Sequence, residues 1–257
     1  MSEKIDVLIV TFNCSKTLRK CLKSIKEAVP YNRILVGDGG SSDGTIEIAQ
    51  SEGAEVHLFT GKDNKIGRIR YKLAERAETP WLLYVDSDVY LYPHFWRVMR
   101  HTMKPSVGMS MAAQDAPPSV LSRYFEWRNK RFRFVTFSNT LVPRDLILSC
   151  RELLNVHVGE DAVYARFAKS RGYDVLAILY RLSYHDKGLD GVDKAFERWG
   201  RDLAMQRRFI NLAFSELIHI RNIFWYAIDE GVRKKEIFSL LRNSWFMLKG
   251  FFLGLRT

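Results

Sequence analysis

The stretch Trp81-Leu82-Leu83-Tyr84-Val85-Asp86-Ser87-Asp88 joins an apolar run to two carboxylates that lie one residue apart. The run predicts a buried strand, and alternate side chains of a strand share a face, so Asp86 and Asp88 would point the same way at its carboxyl end. Carboxylate oxygens suit Mg²⁺ or Mn²⁺, and such a metal would hold a diphosphate. The alternative for this pair alone is two loop-capping aspartates.

Before this stretch, strands alternate with helices. Strands are predicted over Ile5–Val10, Arg33–Val36 and Glu55–Phe59, and helices over Lys16–Ala28, from the loop at 37–45 to Ser51, and over Arg68–Ala77. This alternation predicts an α/β fold with a mostly parallel, doubly wound sheet. After Asp88 the pattern weakens, with helices predicted at 93–103 and 159–170 and strands at 107–112, 134–142 and 174–184. Ligands of such sheets bind beyond the carboxyl ends of the strands, where Thr11–Asn13, Asp38–Thr45 and Asp86–Asp88 would meet.

A glycine-rich loop, Gly37-Asp38-Gly39-Gly40-Ser41-Ser42-Asp43-Gly44-Thr45, follows the second strand and opens a helix. In this setting backbone amides such as that of Gly40 bind nucleotides. The loop is neither a Gly-x-Gly-x-x-Gly fingerprint nor a P-loop. Asp38, at the strand end, could accept a hydrogen bond from a base N–H. The alternative is a tight turn in which Asp43 caps the helix.

The charge of the chain favours anionic partners. Its 257 residues carry a formal net charge of +11, and the hydrophobic content of 47% is that of a globular protein. The three cysteines lack metal-ligand spacing and indicate a reducing compartment. Met1–Lys4 lacks the apolar core of a signal peptide.

In order and spacing, these motifs resemble those of family 2 inverting glycosyltransferases. Val7–Asn13 resembles the family's opening strand and loop, and Asp38–Thr45 resembles its Asp-x-Gly-Ser-x-Asp-Gly-Thr loop. Gly67-Arg68 with Asp86–Asp88 matches its Asp-x-Asp block, and Gly159-Glu160-Asp161 matches its Glu-Asp segment. The resemblance spans roughly residues 5–185. It implies a GT-A fold, a nucleotide-diphosphate-sugar donor (GDP- or UDP-sugar) and a Mg²⁺ or Mn²⁺ cofactor.

The resemblance also implies roles for individual residues. The nucleoside would be contacted by Thr11, Phe12, Asn13 and Asp38. Asp88 would ligate the metal, Asp86 would face the ribose or the metal shell, and Arg68 would approach the diphosphate.

The predicted general base is Asp161. An inverting transfer needs a carboxylate that removes the acceptor hydroxyl proton while that oxygen attacks the anomeric carbon, and the adjacent Glu160 could modulate it. The alternative is an acidic pair that is favoured by a helix N-terminus. His185 is a candidate third metal ligand or diphosphate contact, with an ordinary surface histidine as the alternative, and Lys187 could pair with a phosphate.

The C-terminal part predicts a separate helical segment, so we divide the chain into a GT-A domain at 1–190 and an interfacial segment at 191–257. Glu197-Arg198-Trp199 resembles the end of the Gln-x-x-Arg-Trp segment of cellulose-synthase-like members, in which the Trp lines the acceptor site, although the Gln position holds Ala195. Basic residues recur every seven positions, at Lys235, Arg242, Lys249 and Arg256. This spacing predicts amphipathic helices that lie in a membrane interface. The alternative is a helical appendage that packs on the catalytic domain or on a second subunit.

Together these features predict a metal-dependent inverting hexosyltransferase on the cytoplasmic face of a membrane. The acceptor would be lipid-linked, either a polyprenyl or dolichyl phosphate or a lipid-linked glycan. Resemblance to small mannosyltransferases of the dolichyl-phosphate pathway favours GDP-mannose as donor. A nucleotidyltransferase is an alternative. In that class a Gly-rich loop with a basic signature follows the first strand directly, whereas this chain has Thr11-Phe12-Asn13 there. A basic nucleic-acid-binding protein is another, but no nucleic-acid motif is present, and we expect no nucleic-acid partner.

Overall fold

The computed structural model describes residues 4–119, 123, 124, 126–128, 131, 135–157, 159–186, 197 and 209–254, without the side chains of 209–217, 243, 250 and 254. The chain forms two compact units, Met1–Asp115 with Val135–Asp186, and Ala116–Phe134 with Lys187–Thr257. The second unit therefore takes in residues 116–134, which the sequence prediction placed in the first domain. The predicted boundary at 190 lies outside the described residues and stays a prediction.

The first unit is built on one sheet of eight strands in the order β3-β2-β1-β4-β7-β6-β8-β5. The strands are β1 Ile5–Thr11, β2 Tyr31–Asp38, β3 Glu55–Leu58, β4 Trp81–Asp86, β5 Val89–Leu91, β6 Val107–Asp115, β7 Asn139–Pro143 and β8 Asp174–His185. The helices of this unit are α1 Ser15–Ala28, α2 Thr45–Ser51, α3 Ile66–Arg76, α4 Phe95–Met99, α5 Arg144–Ser149 and α6 Glu160–Ser170. Short 3-10 segments span Gly61–Asp63, Arg100–Thr102 and Arg151–Asn155.

Strands β3, β2, β1 and β4 are parallel neighbours, which confirms the predicted α/β class. Successive residues of β1 enter two different cores, since Val7 packs on the side of α1 and Leu8 on the side of α3. A strand that is covered on both faces is apolar at successive positions, and Val7, Leu8 and Ile9 of β1 show this. The buried Asp6 is a polar exception.

The second half of the sheet departs from the prediction. β7 inserts antiparallel between β4 and β6, and β5 pairs antiparallel with β8. The helix predicted at 93–103 is confined to α4 and the 3-10 segment Arg100–Thr102, and the strand predicted from 134 begins at Asn139. β5 and α5 were not predicted, because elements this short show no periodicity and depend on partners distant in sequence.

The second unit contains two long helices, α7 Phe209–Asp229 and α8 Lys234–Gly254. They pack around a core to which the segment before β7 also contributes, formed by Tyr124, Trp127, Ile223, Tyr226 and Leu240. Within the described part of the chain, no helix is both long enough and apolar enough to cross a membrane. The predicted amphipathic and interfacial character of these helices stays a prediction.

Candidate active site

The ends of three parallel strands bring the first site residues together. Thr11 ends β1 opposite Asp38, which ends β2, and Asp86 ends β4 opposite Val10 of β1. The carboxyl edge of a parallel sheet is where such folds bind ligands. The predicted juxtaposition of these three segments is therefore present in the structure.

The Asp38 carboxylate is fully buried and orders the glycine-rich loop. Its Oδ2 accepts hydrogen bonds from Thr11 Oγ1 at 2.7 Å and Ser41 Oγ at 2.6 Å, and its Oδ1 accepts from the amides of Gly40 at 2.9 Å and Ser41 at 2.7 Å. A carboxylate has about four lone-pair sites, and these four hydrogen bonds occupy them. Its contact with a nucleobase stays a prediction.

Asn13 and Phe12 lie beside this loop. Asn13 has φ of 49°, a left-handed conformation that Asn tolerates better than most residues. Its backbone N–H donates to Ser41 Oγ at 2.8 Å, and its side-chain Oδ1 accepts from the backbone N–H of Ser42 at 2.9 Å. Asn13 therefore connects the loop after β1 to the glycine-rich loop after β2. Phe12 is 55% exposed, and an aromatic face left open at this edge suits stacking on a nucleobase.

Asp86, Asp88 and His185 form a cluster that could hold a metal ion. One ligand atom from each lies within 4.8 Å of the others, and all three residues are half-buried. The pairing of β5 with β8 places Val89 opposite His185, and the Asp186 amide donates to the Asp88 carbonyl at 2.8 Å. The two carboxylates suit Mn²⁺ or Mg²⁺, and a neutral imidazole can serve as a further metal donor.

Arg70 connects this cluster to Glu160, the neighbour of the predicted base Asp161, and was not predicted as a site residue. The guanidinium is buried, and it donates from Nη2 to Asp86 Oδ1 at 2.9 Å and from Nε to Glu160 Oε1 at 3.2 Å. It also lies 4.8 Å from the Phe137 ring centroid. Among the described residues its Nη1 has no hydrogen-bond partner. The sequence signal that could have identified Arg70 is a charged residue on the apolar face of α3, between Ile69 and Leu73.

The contact with Arg70 lowers the pKa of the neighbouring Asp86 carboxyl. Burial alone would raise the pKa of Asp86, but the guanidinium of Arg70 and the imidazole of His185 together hold that pKa below its ordinary value. Asp86 is therefore ionised at neutral pH and available to a cation.

Close packing at Gly67 brings α3 to the segment that precedes α6. The Gly67 amide donates to the Val156 carbonyl at 3.1 Å, and a Cβ at this position would lie 2.6 Å from the Leu153 carbonyl oxygen. Only glycine permits this approach. The approach sets Arg70, one turn further along α3, against Glu160 at the start of α6.

Asp161 stands in the first turn of α6, after Gly159, whose φ of 79° favours glycine. Burial and the nearby Glu160 carboxylate raise the pKa of Asp161 to about 7. Its Oδ1 accepts a hydrogen bond from the Ala162 amide at 2.7 Å. A carboxylate with this pKa can take up a proton near neutral pH, as a general base must.

Arg68 forms hydrogen bonds to residues outside this cluster. Arg68 donates to the Leu154 carbonyl at 2.7 Å and to Asp63 Oδ1 at 2.9 Å, so its approach to a diphosphate stays a prediction. Lys187, Arg198 and Trp199 lie outside the described residues.

Residues 6–149, more than half of the chain, match the family model described as glycosyl transferase family 2. The chain belongs to this family. Its membrane-associated or dolichyl-phosphate subgroup stays a prediction.

Curated relatives match the chain over parts of their length. The SPbeta prophage-derived glycosyltransferase SunS of Bacillus subtilis is 33% identical over 81 residues, which are 31% of this chain and 19% of the relative. The cholesterol galactosyltransferase of Borreliella burgdorferi is 23% identical over 192 residues, 63% of this chain and 54% of the relative. The chain thus spans about half, or less, of the length of these relatives.

Solved structures share the fold. The glucosyl-3-phosphoglycerate synthase of Mycobacterium tuberculosis, in complex with Mn²⁺, UDP and glucosyl-3-phosphoglycerate, superimposes with a TM-score of 0.56 at 16% identity, covering 78% of each chain. The same enzyme has been solved with Mg²⁺ and UDP, at a TM-score of 0.57 and 15% identity. The GT-A fold that the resemblance implied is confirmed.

Proposed function

We propose that this family 2 chain is an inverting, metal-dependent hexosyltransferase in which Asp161 is the general base. The observation that carries the proposal is the pair of contacts by which Arg70 joins Glu160, the neighbour of Asp161, to Asp86 of the candidate metal cluster. With a lipid-linked glycan as acceptor, Asp161 would accept the proton of the attacking hydroxyl as that oxygen bonds to the anomeric carbon. An ionised polyprenyl phosphate oxygen would attack without this proton transfer. The nucleoside diphosphate would leave from the opposite face, which inverts the configuration.

The residues present fit a divalent cation. Asp88, Asp86 and His185 would hold Mn²⁺ or Mg²⁺, which supplies positive charge against the departing diphosphate. Arg70 would keep Asp86 ionised and oriented, and the Asp38-ordered loop with Phe12 would hold the nucleoside.

The proposed donor is GDP-mannose. The resemblance to small mannosyltransferases favours GDP-mannose, and UDP-glucose is the matched comparison, since the M. tuberculosis neighbour has been solved with UDP-glucose and Mn²⁺. Both donors carry a hexose on a nucleoside diphosphate, so the same cation site and base would serve either.

The proposed acceptor is lipid-linked, a polyprenyl phosphate or a lipid-linked glycan, on the cytoplasmic face of a membrane. The name of the Borreliella relative, a cholesterol galactosyltransferase, supports a lipid acceptor. The net charge of +11 supports attraction to an acceptor that carries phosphate.

A donor screen by thermal unfolding tests the proposal. With Mn²⁺ present and the donor at 100 times its Kd, binding should stabilise the fold by about 2.7 kcal/mol, and at about 2–4 °C per kcal/mol this raises Tm by roughly 5–11 °C. The donor that binds is then incubated with a lipid-linked glycan, whose hydroxyl carries the proton that Asp161 would accept, and NMR should show the opposite anomeric configuration in the product. Retained configuration would refute Asp161 as an inverting base, and release of a sugar 1-phosphate would indicate transfer of the nucleotidyl group, the nucleotidyltransferase alternative.

A further inference from the structure

Helix α8 carries an exposed stripe in which basic and aromatic residues alternate. Steps of three and four residues keep a side chain on one face of a helix. The residues at these steps, here called the outer stripe, are Lys235, Phe238, Arg242, Trp245, Lys249 and Phe252. Its three aromatic side chains are 74%, 63% and 62% exposed, in chain order.

The other side of α8 is already packed. Leu240, Ser244, Met247 and Phe251 follow the same spacing and are buried. Leu240 belongs to the core of the second unit. The exposed aromatics are therefore not needed for the fold of this unit, and large apolar side chains in a row at a surface mark an interaction site.

The charge on α8 has one predominant sign. The helix contains four basic residues and a single acidic one, Glu236, which pairs with Arg123 at 2.7 Å. Lys249 reaches Glu197 at 3.0 Å but keeps 45% of its side chain exposed, and Arg242 lies 5.8 Å from the Phe246 ring centroid. The outer stripe thus joins positive charge and apolar surface, with no acidic member.

We propose that the outer stripe docks on an anionic phospholipid surface, with α8 lying parallel to it. Basic side chains would reach the headgroups while the aromatic rings enter the boundary beneath them. A second copy of the chain fits less well, because the cores of protein interfaces are depleted in lysine. The proposal deepens the proposed function, since it rests on a lipid-linked acceptor and would hold the enzyme where that acceptor lies.

Co-sedimentation of the full chain with vesicles tests this docking. The chain should bind phosphatidylcholine vesicles that contain phosphatidylglycerol, and should bind phosphatidylcholine alone far less. Changing Lys235, Arg242 and Lys249 together to Gln should weaken binding on the order of a hundredfold, at about fivefold for each basic residue near the surface. Phe238→Ser, Trp245→Ser and Phe252→Ser in one variant should weaken it by about tenfold or more.

A matched control removes equally exposed apolar side chains from the first unit. Leu58, Leu179 and Tyr180 are 62%, 64% and 71% exposed, and their joint change to Ser should leave vesicle binding unchanged. Thermal unfolding checks that each variant is folded. The proposal is overturned if the folded stripe variants bind as wild type does, or if binding ignores phosphatidylglycerol.

Light scattering tests the second-copy alternative. If the chain is a dimer that the stripe variants dissociate, and these variants still bind vesicles, the outer stripe binds a second copy and the membrane proposal is overturned. The vesicle assay contains neither donor nor acceptor, and the donor screen contains no vesicles. Failure of the docking and failure of the proposed transfer are therefore distinguishable.

Discussion

Replacing Arg70 by Met should destabilise the fold far more than replacing its neighbour Arg68. Arg70 is 5% exposed at the side chain and contacts Glu160, which is 11% exposed, and Asp86, which is 31% exposed. Met keeps the apolar stem but leaves two carboxylates without their cation. Breaking a buried ion pair costs about 3–5 kcal/mol, and the partial exposure of Asp86 places the expected loss near the lower end.

Thermal and urea unfolding measure this loss. A loss of about 3–4 kcal/mol corresponds to a Tm lowered by roughly 6–16 °C in a chain of this size. The effect should depend on pH, because Arg70 holds the pKa of Asp86 below its ordinary value of 3.8. A lowered folded-state pKa contributes stability above the unfolded pKa, and that stability is lost as the pH falls through the folded pKa. The gap between wild type and Arg70→Met should therefore narrow in acid.

Arg68→Met is the matched control on the same helix. The carboxylate partner of Arg68, Asp63, is 48% exposed, so water replaces the lost cation and we expect a cost of about 1 kcal/mol. The reasoning is refuted if Arg70→Met melts within a degree or two of wild type, or if Arg68→Met costs as much. Adding Glu160→Gln to Arg70→Met should recover part of the loss, because it removes the carboxylate that was left unpaired.

Three further outcomes concern activity. Asp161→Asn should lower the rate of transfer by about 10²- to 10⁴-fold while the donor-induced rise in Tm is kept, and an unchanged rate would exclude Asp161 as base. Because burial and Glu160 raise the pKa of Asp161 to about 7, and because a base must be ionised, the rate should fall by about tenfold per pH unit below that value. Glu160→Gln should shift this decline in rate to lower pH, because it removes the charge that raises the pKa of Asp161. An unchanged pH profile of the rate would contradict this effect of Glu160. Asp88→Ala should remove the Mn²⁺ dependence of donor stabilisation, with Ser87→Ala as the control that keeps it; a dependence that survives Asp88→Ala would place the metal elsewhere.

The parallel half of the sheet was predictable because its determinants are local. β1, β2 and β4 are buried on both faces and read as apolar runs, and each ends in the loop or carboxylate that forms the site. The antiparallel insertion of β7 was not predictable, since its place between β4 and β6 depends on pairing with residues that are distant along the chain.

The site divides in the same way. The sequence predicts which carboxylates meet at the strand ends, because Asp86 follows an apolar run and the Asp38 loop follows a parallel neighbour. The shared strand predicted for Asp86 and Asp88 is wrong, since β4 ends at Asp86 and Asp88 lies in the turn before β5. Folding brings His185 to Asp88, at 3.2 Å, and places Arg70 between Asp86 and Glu160. These contacts link residues 97, 16 and 90 positions apart, as their numbers show, and no local pattern encodes them. The pKa of Asp161 belongs to the same class, because burial and a neighbouring charge set it only after α6 has packed against the close contact at Gly67.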